Sequence, residues 1–153
     1  MTALQRFTPR LSAAALLLSA LSLGPLALAA EGPTEAAKAH IAAIAEGNVD
    51  AITASYAPDA VLEWVGGPLD GRYAAPDAIK TTWTKFAKAN GALKADISHL
   101  QEAANPKGAT ITADVVFQGK TAIPVRYVLT YRDGKLVDEI WQIDPKLANK
   151  GGY

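Results

Sequence analysis

Three hydrophobic regimes follow one another along the chain. Residues 11–24, "LSAAALLLSALSLG", form an apolar run without a period. Between Thr34 and Asn90 most apolar residues recur at helical spacing, and after Gly91 they alternate one in, one out, as in strands. Helices therefore precede a sheet.

Three helical segments are predicted. The first runs from Thr34, a candidate N-cap after Pro33, to Glu46, with Ala37, Ile41 and Ile44 on one face and His40 beside them. Gly47 suits the C′ position because glycine tolerates positive φ, and Asn48 can cap a second short helix that buries Val49, Ile52 and Tyr56. Pro58 ends it. The stretch "AVLEWV" then reads as a strand with Leu62 and Trp64 on one face and Val61, Glu63 and Val65 on the other. "GGPLDGRY" has tight-turn chemistry and leads back along the sheet edge. The third helix, Pro76 to Asn90 with Gly91 as its stop, turns Ile79, Trp83 and Phe86 inward and Lys80, Lys85 and Lys88 largely outward.

Four long strands follow, "ALKADISHLQEA", "ATITADVVFQ", "AIPVRYVLTYR" and "KLVDEIWQID", separated by the turns "NPKG", "GKT" and "DG". The order implies an α+β fold, a curved antiparallel sheet packed on three N-terminal helices. Alternation sorts the faces. Leu93, Ala95, Ile97 and His99, then Ile111 to Phe117, Ile123 to Tyr131 and Val137 to Ile143 at every second residue, belong under the helices. Leu100, Asp114, Val116, Arg126, Val128, Thr130, Leu136, Ile140 and Gln142 form the outer face. Its branched apolar residues suit a homodimer interface, with scattered surface Val and Ile as the alternative.

Composition changes the picture at the N-terminus. Arg6 and Arg10 with no acid, the apolar run, and Ala27-Leu28-Ala29 read as a secretory signal over residues 1–29, with an uncleaved membrane anchor as the alternative. The expected product is periplasmic or secreted. One domain is expected over 30–153, and removing Arg6 and Arg10 leaves 13 basic against 15 acidic residues, a net charge of −2 without runs. That balance disfavours nucleic acid and anionic membrane surfaces as partners. Zero cysteines mean that packing alone holds the domain.

Candidate chemistry is sparse. His99, by strand parity, faces the apolar interior as a general base or acid, although Leu100 next to it permits the reverse register. Glu139 shares parity with Trp141 and is either desolvated and proton-moving or at the wet end of its strand. His40 either points inward or is half exposed at the helix boundary. Together His40, His99 and Glu139 would form an acid–base cluster. Tyr56, Trp64, Trp83, Phe86, Phe117, Tyr127 and Trp141 have inward parity, and either line a pocket for a flat apolar ligand or fill the core. No His pair sits at metal-ligand spacing, and glycine-rich nucleotide loops, "GxSxG" and cysteine nucleophiles are missing. No metal and no cofactor are expected.

The stretch "IAAIAEGNVDAITASYAPDAVLEWVGGPLDGRYAAPDAIKTTW", together with "YRDGKLVDEIWQID", resembles the nuclear transport factor 2-like superfamily, specifically its SnoaL-like branch. The resemblance covers nearly all of residues 30–153. It implies a cone-shaped, cystatin-like α+β fold in a superfamily that includes ketosteroid isomerases, polyketide cyclases, epoxide hydrolases, dehydratases and proteins without chemistry. In the ketosteroid isomerase pattern the general-base aspartate falls at Trp64, the oxyanion-hole tyrosine at His40, and the neutral aspartic acid near Tyr127, or at Arg126 if the register slips by one. Two donors are then implied, but no base at Trp64. Two functions follow as expectations: a small apolar molecule bound in the cone, with cofactor-free isomerase, cyclase or dehydratase chemistry, or a non-catalytic dimeric carrier or interaction module.

Overall fold

A computed structural model describes residues 32–149; the expected signal segment, 1–29, lies outside them. In order come α1 (Pro33–Glu46), α2 (Val49–Ala54), β1 (Tyr56–Val65), β2 (Gly71–Tyr73), α3 (Pro76–Asn90), β3 (Lys94–Asn105), β4 (Gly108–Gln118), β5 (Ile123–Arg132), β6 (Lys135–Ile143) and a closing 3-10 turn (Pro145–Asn149). The class is α+β as expected. All six strands form one curved, unclosed sheet in the order β2-β1-β6-β5-β4-β3.

One pairing corrects the antiparallel expectation. β1 runs parallel to β6, with Trp64 beside Trp141 and Leu62 beside Glu139, so the sheet is mixed. Alternation reveals which face a residue takes but not which strand lies next to it, and the last strand comes to rest against the first. β3 to β6 form the expected antiparallel meander.

Helix boundaries follow local chemistry. Gly32, not Thr34, occupies the α1 N-cap, with Pro33 in the first turn, while the Thr34 hydroxyl donates to Glu102 Oε2 at 2.6 Å. Gly47 ends α1 at φ 71°, and Asn48 Oδ1 accepts the Ala51 N–H at 3.1 Å to start α2. α2 stops at Ala54, so Tyr56 opens β1 instead of closing a helix face. That shift carries the Tyr56 ring under α3.

The core lies between the helices and the inner sheet face. α1 supplies Ala37, Ile41 and Ile44, α3 supplies Ile79, Trp83 and Phe86, and the sheet supplies Leu62, Trp64, Ile111, Val115, Phe117, Val125, Leu129 and Trp141. Burying each of the largest side chains stabilises the fold by about 2 kcal/mol before entropy is counted. Two bulges re-sort the expected faces. Between Ser98 and Gln101 the β3 register slips against β4, leaving His99 exposed and Leu100 packed on the core, while Ile97, before the slip on this edge strand, is exposed as well. A second slip, at Thr130 and Tyr131 against β6, buries Leu136 and leaves Val137 half-buried.

Gly108 opens β4 at φ 151°, where a Cβ would fall against the Tyr131 carbonyl oxygen well inside contact distance. Neither the backbone nor its neighbour can yield cheaply. Gly108→Ala is therefore expected to lower unfolding free energy by about 2 kcal/mol, as checked by urea denaturation; a loss within experimental error would show that the β4–β5 edge can move. Among the described residues no helix is long and apolar enough to cross a membrane.

Candidate functional site

Sequence parity alone places Glu139 on the inner face of β6, and its neighbours there decide what it can do. Leu129 of β5 and Leu62 of β1 flank it across the sheet, and its side chain has no exposed surface. A carboxyl group in such a place needs partners. Three elements provide them. His40, on the sheet-facing side of α1, brings Nε2 to 3.1 Å from Glu139 Oε2, and the Tyr56 hydroxyl donates to the same oxygen. Trp83 of α3 donates its indole N–H to the Tyr56 oxygen at 2.9 Å.

Hydrogen-bond counting places the protons. Ser55 Oγ lies 2.7 Å from the Ile52 carbonyl, which can only accept, so the single hydroxyl proton is spent there. His40 Nδ1, 2.9 Å from the same Oγ, must then be the donor. Since Trp83 donates to the Tyr56 oxygen, the Tyr56 proton points at Glu139. One further proton is left to sit between His40 Nε2 and Glu139 Oε2. It can belong to either group without a change in the heavy-atom framework, which is the arrangement a proton-transfer site requires.

Around this chain lie polar atoms without a hydrogen-bond partner: Glu139 Oε1, the hydroxyls of Tyr127 and Tyr131, and Trp141 Nε1. All four belong to β5 and β6, the strands that carry Glu139 and its cross-strand neighbours. Tyr127 feels the Glu139 carboxylate strongly. Burial first, and Glu139 second, raise the phenol pKa of Tyr56, Tyr127 and Tyr131 above the ordinary tyrosine value.

A tyrosine whose pKa is raised by folding contributes stability that is complete below its unfolded value, about 10. That contribution is lost as pH climbs past 10, where the unfolded chain ionises and the native one does not. In an alkaline titration followed by tyrosinate absorbance, at least three of the five tyrosines should stay protonated until the protein unfolds. Five ordinary titrations in the folded protein would remove the enclosed cluster.

The expected residues divide into three groups. His40, Glu139 and Tyr56 meet. Trp64, Trp83, Phe86, Phe117, Tyr127 and Trp141 also come together, but as a block of rings: Trp64 stacks on Trp141 at 4.4 Å between centroids, and Trp141 on Phe117 at 5.2 Å. They pack against one another, as in the second of the two readings the sequence left open, lining or filling. His99 does not join them, because the β3 bulge puts its side chain on the outer face, 64% exposed, against Asp114. The inward placement read from strand parity is corrected by that single extra residue. Ser55 and Tyr131 were not singled out from sequence; the position of Ser55 at the α2–β1 junction, just before Tyr56, was the available signal.

An opening beside Pro58 touches the cluster at Tyr56. Thr53, Tyr56, Ala57, Pro58, Pro76 and Ile79 line an apolar mouth of about 280 Å³, with Tyr56 as its titratable member.

A family profile described as the SnoaL-like domain matches residues 37–139, from the first buried residue of α1 to Glu139 itself. The chain belongs to the SnoaL-like domain family. Solved structures agree in fold. A nuclear transport factor 2-like protein of unknown function from Pseudomonas putida KT2440 is 17% identical with a TM-score of 0.61, over 71% of this chain and 81% of that one. A domain from Xanthomonas campestris, provisionally named a calcium/calmodulin-dependent protein kinase II association domain, is 22% identical with a TM-score of 0.59, over 78% and 94%. A protein from Novosphingobium aromaticivorans provisionally named a scytalone dehydratase is 11% identical with a TM-score of 0.58, over 72% and 80%. At such identities the SnoaL-like fold is shared and nothing finer follows. No curated protein matches the chain.

Proposed function

We propose that this SnoaL-like domain, exported on the strength of its leader-like first 29 residues, binds a compact apolar molecule bearing an oxygen and moves a proton on it without a cofactor. The chemistry is of the isomerase, cyclase or dehydratase type. The observation that carries this reading is the position of Tyr56, which stands in the apolar mouth while its hydroxyl rests on the enclosed Glu139. A ligand oxygen at that mouth meets a hydroxyl already coupled through Glu139 to His40. Tyr56 relays the proton, its oxygen taking one from the ligand as its own passes to Glu139, and His40 takes or returns the proton it shares with Glu139.

Size limits the ligand. A dry cavity of about 150 Å³ takes benzene, so the mouth has room for one ring and its substituents and little more. Energetics support a functional origin for the cluster: a buried ionisable pair contributes little net stability beside apolar side chains of the same volume, so packing alone gives no reason to retain it. The provisional scytalone dehydratase among the structural neighbours is consistent with this class of chemistry.

Proton exchange tests the reading directly. The protein is incubated in D₂O with cyclohexanone, 2-tetralone and acetophenone, and deuterium entry at the α-carbons is followed by NMR. Exchange faster than buffer for at least one ketone is expected. Buffer rates for all three would overturn the proton-transfer reading.

A further inference from the structure

The bulge that turns His99 away from the interior builds a second constellation on the opposite face of the sheet. His99 and Leu100 together oppose Ala113, and His99 adopts a left-handed backbone, φ 51°. Such a conformation costs about 1 kcal/mol or more in a residue with a Cβ and persists where its surroundings enforce it. Here the enforcement is visible. Leu100 packs on the core, and His99 Nδ1 lies 3.1 Å from Asp114 Oδ2. The Asp114 side chain is only 9% exposed, and its other oxygen lies 3.4 Å from Arg126 Nη1. Arg126 is in turn anchored to Asp144 Oδ2 through Nη2 at 3.1 Å and Nε at 3.2 Å.

This order has a chemical consequence. Against an ionised Asp114, which can only accept, the His99 tautomer that suits this contact carries its proton on Nδ1 and presents a lone pair at Nε2. The ring borders a groove of about 470 Å³ that also includes Gln101, Thr112, Ala113, Arg126 and Val128. An aligned imidazole, a cation and two neutral hydrogen-bonding side chains therefore share one concavity with apolar walls. Of the groove's lining, Tyr127 also belongs to the surroundings of Glu139.

We propose that the Asp114–His99 dyad is a second chemical site, at which His99 Nε2 acts as a nucleophile toward small activated aryl esters held in this groove. Nε2 bonds to the acyl carbon, the bond from that carbon to the aryloxide breaks, and the aryloxide leaves with the electron pair. Asp114 meets the positive charge of the acylimidazolium through the Nδ1 proton. Water then adds to the acyl carbon and loses one proton to solvent, the C–N bond returns its pair to Nε2, and the carboxylic acid product gives its remaining proton to solvent. Arg126, Thr112 and Gln101 are the groove's donors for the oxygen that becomes negative in both steps. His99 is the catalytic residue and Asp114 a positioning one.

The assay is release of 4-nitrophenolate from 4-nitrophenyl acetate by the full chain. The sequence has two histidines and the His40 side chain is 0% exposed, so His99 is the accessible imidazole. His99→Gln, an exposed substitution, should lower the rate at least tenfold at pH 7. A variant retaining more than half of the rate would overturn the proposal. Asp114→Asn should lower the rate about tenfold and displace the pH–rate midpoint, which also feels Arg126 and Asp144; a rate loss without that displacement would reduce Asp114 to a structural role and overturn the dyad. If Asp114→Asn does not fold, the ¹⁵N shifts of the wild-type imidazole decide: the Nδ1–H tautomer is expected, and the Nε2–H tautomer would overturn the assignment.

Discussion

Glu139→Gln should abolish ketone proton exchange while leaving the SnoaL-like fold in place. Glutamine keeps the volume of the side chain between Leu129 and Leu62, and its amide can still meet His40 and Tyr56. What it lacks is a group that accepts and returns a proton. General acid–base catalysis contributes roughly 10²–10⁴ in rate, so a fall of at least a hundredfold is expected. Circular dichroism and a melting curve establish that the variant is folded. Exchange at more than a tenth of the wild-type rate would show that Glu139 does not hold the proton. Replacing His40 and Glu139 together by leucine adds the converse expectation: stability unchanged or raised, because apolar side chains replace a buried ionisable pair, and activity lost.

Trp141→Ala should be the most damaging single change to the fold. The Trp141 ring has no exposed surface, stacks between Trp64 and Phe117, and meets Trp83, Phe86 and Tyr127 edge-on. Truncation at a well-packed aromatic costs about 3–5 kcal/mol through lost transfer free energy and an uncollapsed cavity. That is a large fraction of the stability of a domain this size. Urea titration measures it. A loss below about 1 kcal/mol would mean that the rings are a loosely held lining, free to part around a ligand.

How much of this was legible in advance depends on what each signal measures. Hydrophobic period reports local conformation and facing, and it predicted α1, α3 and the β3–β6 meander, with "GKT" and "DG" at two of the turns. It also put Glu139 and Tyr127 on the inner face. Period fails where one residue is inserted. Nothing in "ADISHLQ" marks the slip after Ser98, and because strand parity is all-or-none, that slip moved His99 from one side of the sheet to the other. Convergence was equally hidden. His40, Tyr56 and Glu139 come from three elements, and no spacing rule links residues whose approach depends on how helices lie over a sheet. The filled cone has a similar origin: parity identifies rings that point inward, but only their mutual distances tell lining from filling.

The parallel contact between the first and last strands dictates an order of assembly. Val61 pairs with Asp138, so β1 and its short partner β2 have no further neighbour in the sheet until β6 has been made. Closing so long a loop is entropically slow, and the meander of β3 to β6 can pair locally first. During that interval one side of β1 offers open backbone groups to any other extended chain. On a ribosome, or in a chain cut short before Lys135, the β1–β2 pair therefore depends on protection from elsewhere. Its own lock is β6, the last of the described strands.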